Sequence, residues 1–371
     1  MNIVIFGLSI SSAWGNGHAS LLRGLFKALH NQGHQVHFFE RDTPYYASHR
    51  DAWQFDYVQL HLYSHWIGEL PRIQSLLASA DVGLVTSYCA DGQAACDAVL
   101  SANLPRTVFY DMDTPVTLAR LECGESVPYV PPDGLGAFDL VLSYTGGKTL
   151  QLLRRNLGAQ RAATLYGWVD PDIYYKVAAR PEYEADLSYL GTYSADRQPA
   201  LDSLLIDAAR RMESRRFVVG GAMYPMPQNW PANVRHYDHV APPEHAAFYS
   251  SSPLTLNITR GSMAAMGYCP SGRLFEAAAC GTAVLSDWWE GLESFFQPGE
   301  EILIATESAD TISALTGRRD GLIRIGERAR TRALDCHTAE IRARRLLALI
   351  EDPRDESEGV TASLVLAKGA L

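Results

Sequence analysis

Short apolar runs alternate with stretches of helical periodicity in the first half of the chain. Residues 3–6 form such a run, and apolar residues then recur three and four positions apart from Leu21 to Leu29. A second apolar run at residues 35–40 follows Gly33. A strand, a helix and a parallel strand in this order form a βαβ unit. The same alternation predicts a helix over residues 92–102 and strands at residues 81–86, 106–110 and 139–143.

The alternation starts again near Asp186. It predicts a helix over residues 271–279 and strands at residues 187–190, 217–219, 254–258 and 283–286. We therefore predict an α/β fold with two Rossmann-like domains that face a cleft, in which ligands bind at the carboxyl ends of the strands. The predicted division is an N-terminal domain at residues 1–167, a linker at residues 168–183, a C-terminal domain at residues 184–350 and a polar tail at residues 351–371.

Composition narrows the class of protein. The 371 residues are 47% hydrophobic and 20% charged, which excludes a disordered, collagen-like or coiled-coil chain. A net charge of −10 argues against a general nucleic-acid-binding surface. No stretch approaches the ~20 uncharged apolar residues that cross a bilayer, and the first residues lack the basic region of a signal peptide. We predict a cytoplasmic protein with no membrane span.

The cysteines and histidines do not predict a metal site. The six cysteines form no CxxC pair, so reduced thiols are expected. His30, His34 and His37 straddle a helix end and a strand start, so they would face different ways. The arginines between residues 318 and 345 alternate with Asp and Glu, which favours a solvated helical face over a nucleic-acid site.

Residues 270–287 carry the strongest chemical signal, in the order loop, short helix, Gly and strand. Ser271 can cap the helix, whose first N–H groups and dipole attract an anion. Arg273 lies in the first turn, where its charge opposes the dipole unless an anionic ligand offsets it. Glu276 lies one turn further on the same face and can pair with Arg273 or form a capping box with Ser271. A structural role alone is the alternative.

This segment resembles the donor-site motif of GT-B glycosyltransferases, especially family 4 and the CgeB-like group. Glu276 matches the second of two glutamates in that motif, within an EAxAxGxPV context, and the resemblance implies that it binds the ribose of the donor nucleotide. The first glutamate falls at Tyr268, where the chain departs from family 4. Residues 165–170 and 284–301 resemble the hinge and the stretch that closes the donor site. The resemblance therefore covers most of the chain.

Further donor-binding candidates follow from the same resemblance. Residues 191–197 resemble the first loop of the C-terminal domain in CgeB-like proteins, which gives Tyr193 and Arg197 as candidates. Arg197 would reach the diphosphate, for which a guanidinium fork is suited, or else lie at a surface helix start. Tyr224 lies where the nucleotide base rests in the family and would stack on it or pack in the interior. Arg260 ends a strand and is a second phosphate candidate or a surface ion-pair partner.

The loop after the first strand is rich in Ser and Gly. Gly15 and Gly17 permit close approach of a phosphate or sugar to the backbone. The loop lacks GxGxxG, so an NAD site has weak support. In the family that this chain resembles, the loop contacts the donor diphosphate and the acceptor. His18 would there stabilise developing negative charge, or it is a helix-start histidine without a ligand role.

Asp111 and Asp113 lie two residues apart at a strand end, so we expect them to project to one side. Such a DxD pair is also the metal signature of the other large glycosyltransferase fold. The doubled βα rhythm is instead GT-B-like, and that class usually works without a bound cation. The resemblance places this segment at the strand end that faces the reacting sugar. We predict a polar contact from Asp111 or Asp113 to sugar or acceptor, with capping of the next turn as the alternative.

Taken together, the resemblance implies a glycosyltransferase that moves a sugar from a nucleoside-diphosphate sugar, guessed to be a UDP-sugar, to an acceptor that the sequence does not identify. It further implies catalysis without a metal ion or other cofactor, and retention of anomeric configuration. Two alternatives stay open. One is a non-catalytic nucleotide- or sugar-binding protein, suggested by the missing first glutamate, and the other is a sugar-nucleotide epimerase. An NAD dehydrogenase is disfavoured because neither half carries the dinucleotide fingerprint.

Overall fold

The computed structural model describes residues 1–225 and 229–352. The chain divides into two compact units. The first unit comprises Met1–Tyr166 and the chain from Ala339 onward, and the second unit comprises Gly167–Thr338. The predicted polar tail lies outside the described residues, except for its first two positions.

The first unit is a parallel sheet of seven strands flanked by helices. The strands are β1 (Asn2–Gly7), β2 (Gln35–Arg41), β3 (Gln59–Tyr63), β4 (Val82–Thr86), β5 (Arg106–Asp111), β6 (Leu140–Ser143) and β7 (Ala162–Thr164). The helices are α1 (Gly17–Asn31), α2 (Pro44–Ala47), α3 (Trp66–Leu77), α4 (Gly92–Ser101), α5 (Thr114–Glu122) and α6 (Lys148–Leu157).

The second unit repeats this plan with six parallel strands. The strands are β8 (Leu187–Leu190), β9 (Phe217–Gly220), β10 (Val234–Tyr237), β11 (Leu254–Asn257), β12 (Ala283–Ser286) and β13 (Leu303–Ile304). The helices are α7 (Gln198–Leu201), α8 (Asp207–Arg211), α9 (His245–Ser250), α10 (Gly261–Met266), α11 (Gly272–Ala279), α12 (Ser308–Thr316) and α13 (Arg319–Cys336). A π-helical turn, Asp202–Ile206, joins α7 to α8, and the last helix of the chain is α14 (Ala339–Glu351).

Strand order identifies the edge of each sheet where a ligand can bind. The first sheet has the order β3-β2-β1-β4-β5-β6-β7 and the second the order β10-β9-β8-β11-β12-β13. The order reverses direction between β1 and β4, and again between β8 and β11. In doubly wound sheets, ligands bind outside the carboxyl ends of the strands at such a switch point. The loops that follow β1, β4, β8 and β11 are therefore the candidate ligand-binding segments.

The predicted strands all form, each within one residue of its predicted bounds. Their apolar runs are buried on both faces, as a parallel sheet covered by helices requires. Strands β3, β7, β10 and β13 were not predicted, and these are the outermost strands of the two sheets. The prediction of an α/β fold with two Rossmann-like domains is confirmed.

Two predicted boundaries differ from the structure. The expected linker at residues 168–183 is part of the second unit, because three of its four large aromatic side chains, Trp168, Tyr174 and Tyr183, are buried. Helix α14, expected in the C-terminal domain, packs against α1 in the first unit. Arg106 and Arg161 of the first unit donate hydrogen bonds to the last carbonyl groups of α14, at 3.0 Å from Ile350 O and 2.7 Å from Leu349 O.

The arginine-rich stretch is only partly solvated. Arg342 and Arg345, predicted on a solvated helical face, are buried in the first unit. The Nε of Arg342 donates to the carbonyl oxygen of Tyr166 at 3.1 Å, so this guanidinium serves the internal packing of α14. Among the described residues, no helix combines the length and the apolar character needed to cross a bilayer.

Candidate functional site

The loop after β1 is held in place by a buried carboxylate at the end of β2. Glu40 is fully buried, and its two oxygens accept hydrogen bonds from the Ser9 hydroxyl at 2.7 Å, the Ile10 N–H at 2.7 Å and the Ser11 N–H at 3.0 Å. Dinucleotide-binding proteins use an acidic residue near this place for a ribose hydroxyl. Here both carboxylate oxygens are engaged by the loop, which adds to the evidence against an NAD site.

The same loop continues into the start of α1. Asn16 precedes the helix, and its side-chain oxygen accepts the His18 N–H at 3.1 Å. Gly15 has φ +60°, a left-handed conformation that favours glycine. Gly17 is exposed, and a Cβ there would contact nothing, so the backbone at Gly17 does not require a glycine. The loop thus delivers His18 to the carboxyl edge of the first sheet in a fixed position.

His18 lies beside one of the two predicted aspartates. Its Nε2 is 3.4 Å from Oδ2 of Asp113, and both side chains are partly exposed. The ring of Tyr88, at 5.7 Å between centroids, packs against His18 from the loop after β4. Tyr88 has φ +62°, which is costly for an aromatic residue and typical of functional sites. The structure therefore brings together the loops at the β1 and β4 switch point.

Asp111 and Asp113 occupy different environments, contrary to the expectation that both project to one side. Asp111 is 0% exposed, and its Oδ1 accepts the Asp113 N–H at 3.0 Å. Strand β5 ends at Asp111 and α5 begins at Thr114, so the alternation of a strand does not extend to Asp113. Burial raises the pKa of Asp111 to about 6, and hydrogen bonds from its polar neighbours oppose that rise. Asp113 precedes α5 but its side chain does not cap the helix.

No group of three or more His, Cys, Asp or Glu side chains in the described part of the chain could hold a metal ion. The described cysteines are all free, as expected.

The sequence analysis did not identify Glu40, Asn16 or Tyr88 as residues of the candidate site, although an Asn before a helical pattern is a recognisable capping signal.

In the second unit, Ser271 stands where the sequence predicts, immediately before α11. Its hydroxyl does not accept an N–H of the helix; it donates to the side-chain oxygen of Asn257 at 2.8 Å. Asn257 ends β11, so this bond ties the helix start to the strand next to the switch point. The first N–H groups of α11 keep no side-chain cap.

Arg273 spans the two strands at the second switch point. One guanidinium nitrogen donates to Leu190 O at 3.2 Å and the other to Ile258 O at 3.2 Å, so the side chain joins the carboxyl ends of β8 and β11. A Cβ at Gly191 would lie 3.0 Å from the guanidinium and 2.8 Å from the Tyr189 hydroxyl. A side chain at this position would therefore displace the Tyr189 hydroxyl or the Arg273 guanidinium where the chain leaves β8.

Arg273 and Arg260 both lie close enough to Arg197 for their charges to interact with it. The pKa of Arg197 is lowered by burial and then by the neighbouring positive charges of Arg273 and Arg260. The Arg197 Nε–H is buried and meets no hydrogen-bond acceptor among the described residues. No carboxylate in the described part of the chain lies within 4.0 Å of any of these guanidinium groups. The carboxylates of Asp196, Glu276 and Asp287 lie beyond that distance but still interact with these charges. The unpaired Arg197 Nε–H is the donor at this edge that an anion can satisfy.

Glu276 lies one turn after Arg273 and forms no capping box with Ser271. Its Oε2 accepts the Tyr249 hydroxyl at 3.3 Å, and the hydroxyl of Tyr174 also donates to it. Burial raises the pKa of Glu276, and Arg273 and the two tyrosines oppose the rise. The hydroxyl oxygen of Tyr174 is also 3.2 Å from Nδ1 of the partly buried His245. Neither tyrosine was identified from the sequence, because both come from segments without a motif.

Tyr224 is buried in an aromatic cluster. The structure therefore agrees with the prediction that Tyr224 packs in the interior. Its hydroxyl donates to Gly191 O at 3.1 Å, and its ring is packed edge to face with Tyr193, Trp230 and His236. Tyr193 is partly exposed and its N–H donates to Ala222 O at 2.9 Å. Through these bonds, the cluster contacts the loop between β8 and Arg197 at Gly191 and Tyr193.

Tyr268, where family 4 would have its first glutamate, adopts φ +47°. Its N–H donates to Glu290 O at 2.6 Å, and its ring covers Gly291. A bulky residue in the left-handed region is strained unless its surroundings fix it. At the position where the sequence differs from the family 4 motif, the backbone is therefore in the left-handed conformation.

A family model described as glycosyl transferase-like matches residues 197–348. Among solved structures, sucrose-phosphate synthase from Thermosynechococcus elongatus is similar with a TM-score of 0.69, at 15% identity over 95% of this chain and 98% of that one. HepE of Anabaena in complex with UDP-glucose has a TM-score of 0.64, at 14% identity over 95% and 99%. An α-glucosyltransferase in complex with UDP-glucose and DNA containing an abasic site has a TM-score of 0.64, at 14% identity over 95% and 100%. No curated protein sequence matches this one. The chain thus has the GT-B fold of glycosyltransferases.

Proposed function

We propose that the protein is a glycosyltransferase that takes a sugar from a nucleoside-diphosphate donor. One observation carries the proposal: the buried Arg197 Nε–H has no acceptor among the described residues, and Arg197 lies beside Arg260 and Arg273 near the switch point of the second sheet. A diphosphate is the anion that this arrangement fits, because guanidinium forks match phosphate oxygens. HepE and the α-glucosyltransferase are described in complex with UDP-glucose, which supports a UDP-sugar as the donor.

The arginines have a direct chemical role in this reaction. When the bond from the sugar to the diphosphate breaks, negative charge develops on the phosphate oxygens, and fixed positive groups stabilise the transition state. The uncapped N–H groups at the start of α11 add to that stabilisation. We propose that these groups replace a metal ion in catalysis. Glu276 offers carboxylate oxygens to the ribose hydroxyls, held by Tyr249 and Tyr174.

In the first unit, His18 and Asp113 are the pair that we propose contacts the reacting sugar or the acceptor hydroxyl. Asp111 is too buried to contact a ligand directly, so we assign it to positioning of the Asp113 backbone. The motif around Glu276 favours a place near family 4 and the CgeB-like group. We carry over retention of configuration from that resemblance, and NMR of the anomeric proton in the first product formed tests it.

The proposal is tested by incubating the protein with a panel of nucleotide sugars and measuring the nucleoside diphosphate released. Release from UDP-glucose or a related UDP-sugar, unchanged by EDTA, is the expected result. Formation of an isomeric nucleotide sugar without release would instead identify an epimerase. Binding of the panel without turnover, with and without added acceptors, would identify a non-catalytic binding protein.

Calorimetry with UDP tests the arginine site independently of turnover. Arg197→Gln is expected to weaken UDP binding by about tenfold or more, since a buried charge-assisted hydrogen bond is lost. Arg216→Gln is the matched control, because Arg216 is exposed and only pairs with Glu184 on the surface. Equal UDP affinity in the wild type and Arg197→Gln would overturn the diphosphate site.

A further inference from the structure

The segment that follows β2 exposes aromatic rings beside the loop after β1. Tyr45 is 50% exposed and Trp53 is 66% exposed. In the same place the rings of Trp14 and His49 stack at 4.5 Å with an interplanar angle of 17°. We call these four side chains the aromatic surface. The rings of Tyr45, His49 and Trp14 are in consecutive contact, and Trp53 follows His49 in the same segment with the Arg50 guanidinium over its ring. Contiguous exposed apolar groups mark an interaction site, whereas single exposed rings do not.

The backbone that carries the aromatic surface is tied to the loop after β1 and to α1. Ser11 O accepts the N–H groups of Asp51 at 3.0 Å and Ala52 at 3.1 Å, which ties the segment to the loop after β1. The guanidinium of Arg23, from α1, binds the Asp51 carboxylate through two hydrogen bonds of 3.0 and 2.7 Å. The Ser12 hydroxyl donates to His49 O at 2.8 Å. A binding surface fixed in advance loses little conformational entropy when a ligand arrives.

The charges around the aromatic surface cancel. Arg50, whose guanidinium lies over the Trp53 ring at 5.2 Å, is 2.6 Å from the Asp42 carboxylate. Arg23 pairs with Asp51 in the same way. A surface that binds nucleic acid combines stacking rings with cations that are free to contact phosphates. With its arginines neutralised, this surface instead favours a ligand without net charge.

The aromatic surface is continuous with the catalytic candidates. A Cβ placed on Gly15 would lie 3.2 Å from the Tyr45 hydroxyl, so Tyr45 borders the turn that leads to His18. Trp14 belongs to the same loop, which ends at α1. A ligand that rests on these rings therefore extends toward the His18 and Asp113 side chains.

We propose that the aromatic surface binds a neutral saccharide and that this saccharide is the acceptor; the second part rests on the proposed transferase function. A pyranose ring has one face of C–H groups that packs on an aromatic ring, and a rim of hydroxyls that bonds to polar side chains. The surface supplies both kinds of contact, with Arg50, Asp42 and Ser48 as polar neighbours of the rings.

The test uses the full-length chain and a panel of neutral trisaccharides of glucose, galactose, mannose and N-acetylglucosamine, with binding followed by saturation-transfer NMR and tryptophan fluorescence. At least one trisaccharide is expected to bind, and Trp53→Ala and Tyr45→Ala are expected to weaken its binding by about tenfold. Tyr175→Ala is the control for Tyr45→Ala, because Tyr175 is 49% exposed in the second unit. Trp53→Phe should retain most of the affinity. Circular dichroism checks that the variants are folded.

Failure to bind any trisaccharide of the panel, or equal affinity in the wild type and Trp53→Ala, would overturn the saccharide surface. So would binding of a single-stranded oligothymidine that is lost in Trp53→Ala. UDP affinity, measured in parallel, separates this inference from the proposed function, since Trp53→Ala should leave it unchanged. Saccharide binding in a protein that does not bind UDP would support the surface and overturn the donor proposal.

Discussion

The imidazole Nε2 of His18 lies 3.4 Å from the carboxylate Oδ2 of Asp113, which joins the first turn of α1 to the residue before α5. Each of the two residues is also held by a neighbour in its own loop. Asn16 caps α1 beneath His18, and Asp111 holds the backbone N–H of Asp113. The pair therefore joins the loops that follow β1 and β5, beside the switch point, with its geometry fixed from both sides, as its proposed role at a reacting hydroxyl requires.

Substitution of His18 should affect the chemical step more than donor binding. For His18→Ala we expect kcat to fall by roughly 10²–10³-fold, the range for loss of a positioned proton-handling or charge-stabilising group. UDP affinity should stay within about twofold, because the diphosphate contacts are assigned to the second unit. Steady-state kinetics and calorimetry measure the two effects. A His18→Ala enzyme with wild-type kcat would remove His18 from catalysis.

Glu276→Gln should weaken discrimination between UDP and 2′-deoxy-UDP. The carboxylate is assigned to the ribose hydroxyls, so the wild type should prefer UDP by about tenfold and the variant should lose most of that preference. Calorimetry gives the two affinities. Because both ligands carry the same diphosphate, its titration affects both affinities equally and does not change their ratio. An unchanged ratio in Glu276→Gln would show that this carboxylate does not contact the ribose.

The same ratio should depend on pH in a defined direction. Burial raises the pKa of Glu276, so its carboxylate is protonated at a higher pH than an ordinary glutamate. The preference for UDP over 2′-deoxy-UDP should therefore decline as the pH is lowered from neutral toward the titration range of an ordinary glutamate, and it should decline less in Glu276→Gln. A preference that stays constant across this range would contradict the assignment.

Asp111→Asn should stabilise the protein at neutral pH. The folded-state pKa of about 6 lies above the ordinary value of 3.8, so the folded state binds more protons between these values and loses stability as the pH rises through them. The variant should therefore unfold with a free energy roughly 1–3 kcal/mol higher than the wild type at about pH 7.5, and the difference should disappear near pH 4. Urea denaturation at the two pH values measures it, with the exposed Asp320→Asn as control. The same difference at both pH values would contradict the burial effect.

Loss of Glu40 should destabilise the first unit through its loop. Glu40→Ala leaves two backbone N–H groups and two hydroxyls without their acceptor, which should lower the free energy of unfolding by roughly 2–4 kcal/mol. Glu40→Gln keeps one oxygen and should cost about half as much. Glu122→Ala, on the exposed end of α5, is the control. Urea denaturation of the three variants provides the comparison, and equal stability of Glu40→Ala and the wild type would contradict it.

The apolar runs predicted the interior of both sheets and missed their rims. A strand such as β1 or β11 is covered on both faces and must be apolar throughout. The outermost strands β3 and β10 are partly exposed, so polar residues interrupt their runs and weaken the signal. Strand β13 has only the two residues Leu303–Ile304, too few for any periodicity.

The site was predictable where local chemistry decides it and not where distant segments meet. Ser271, Arg273 and Glu276 lie on one short helix, so their spacing alone placed them together. The partners of Glu276 come from Tyr174 and Tyr249, which only the fold brings near. Asp113 shows the opposite failure: a two-residue spacing implied a shared face with Asp111, but the strand ends between them.

The return of α14 to the first unit determines how the protein can be divided. A fragment that stops at Tyr166 lacks the helix that covers α1, and it also lacks the carbonyl groups that Arg106 and Arg161 bind. The second unit, in contrast, is one continuous insertion between Tyr166 and Ala339. Exchange of the second unit with that of another protein of this fold is therefore best attempted by transplanting the insertion whole, with both of its junctions, rather than by fusing two halves.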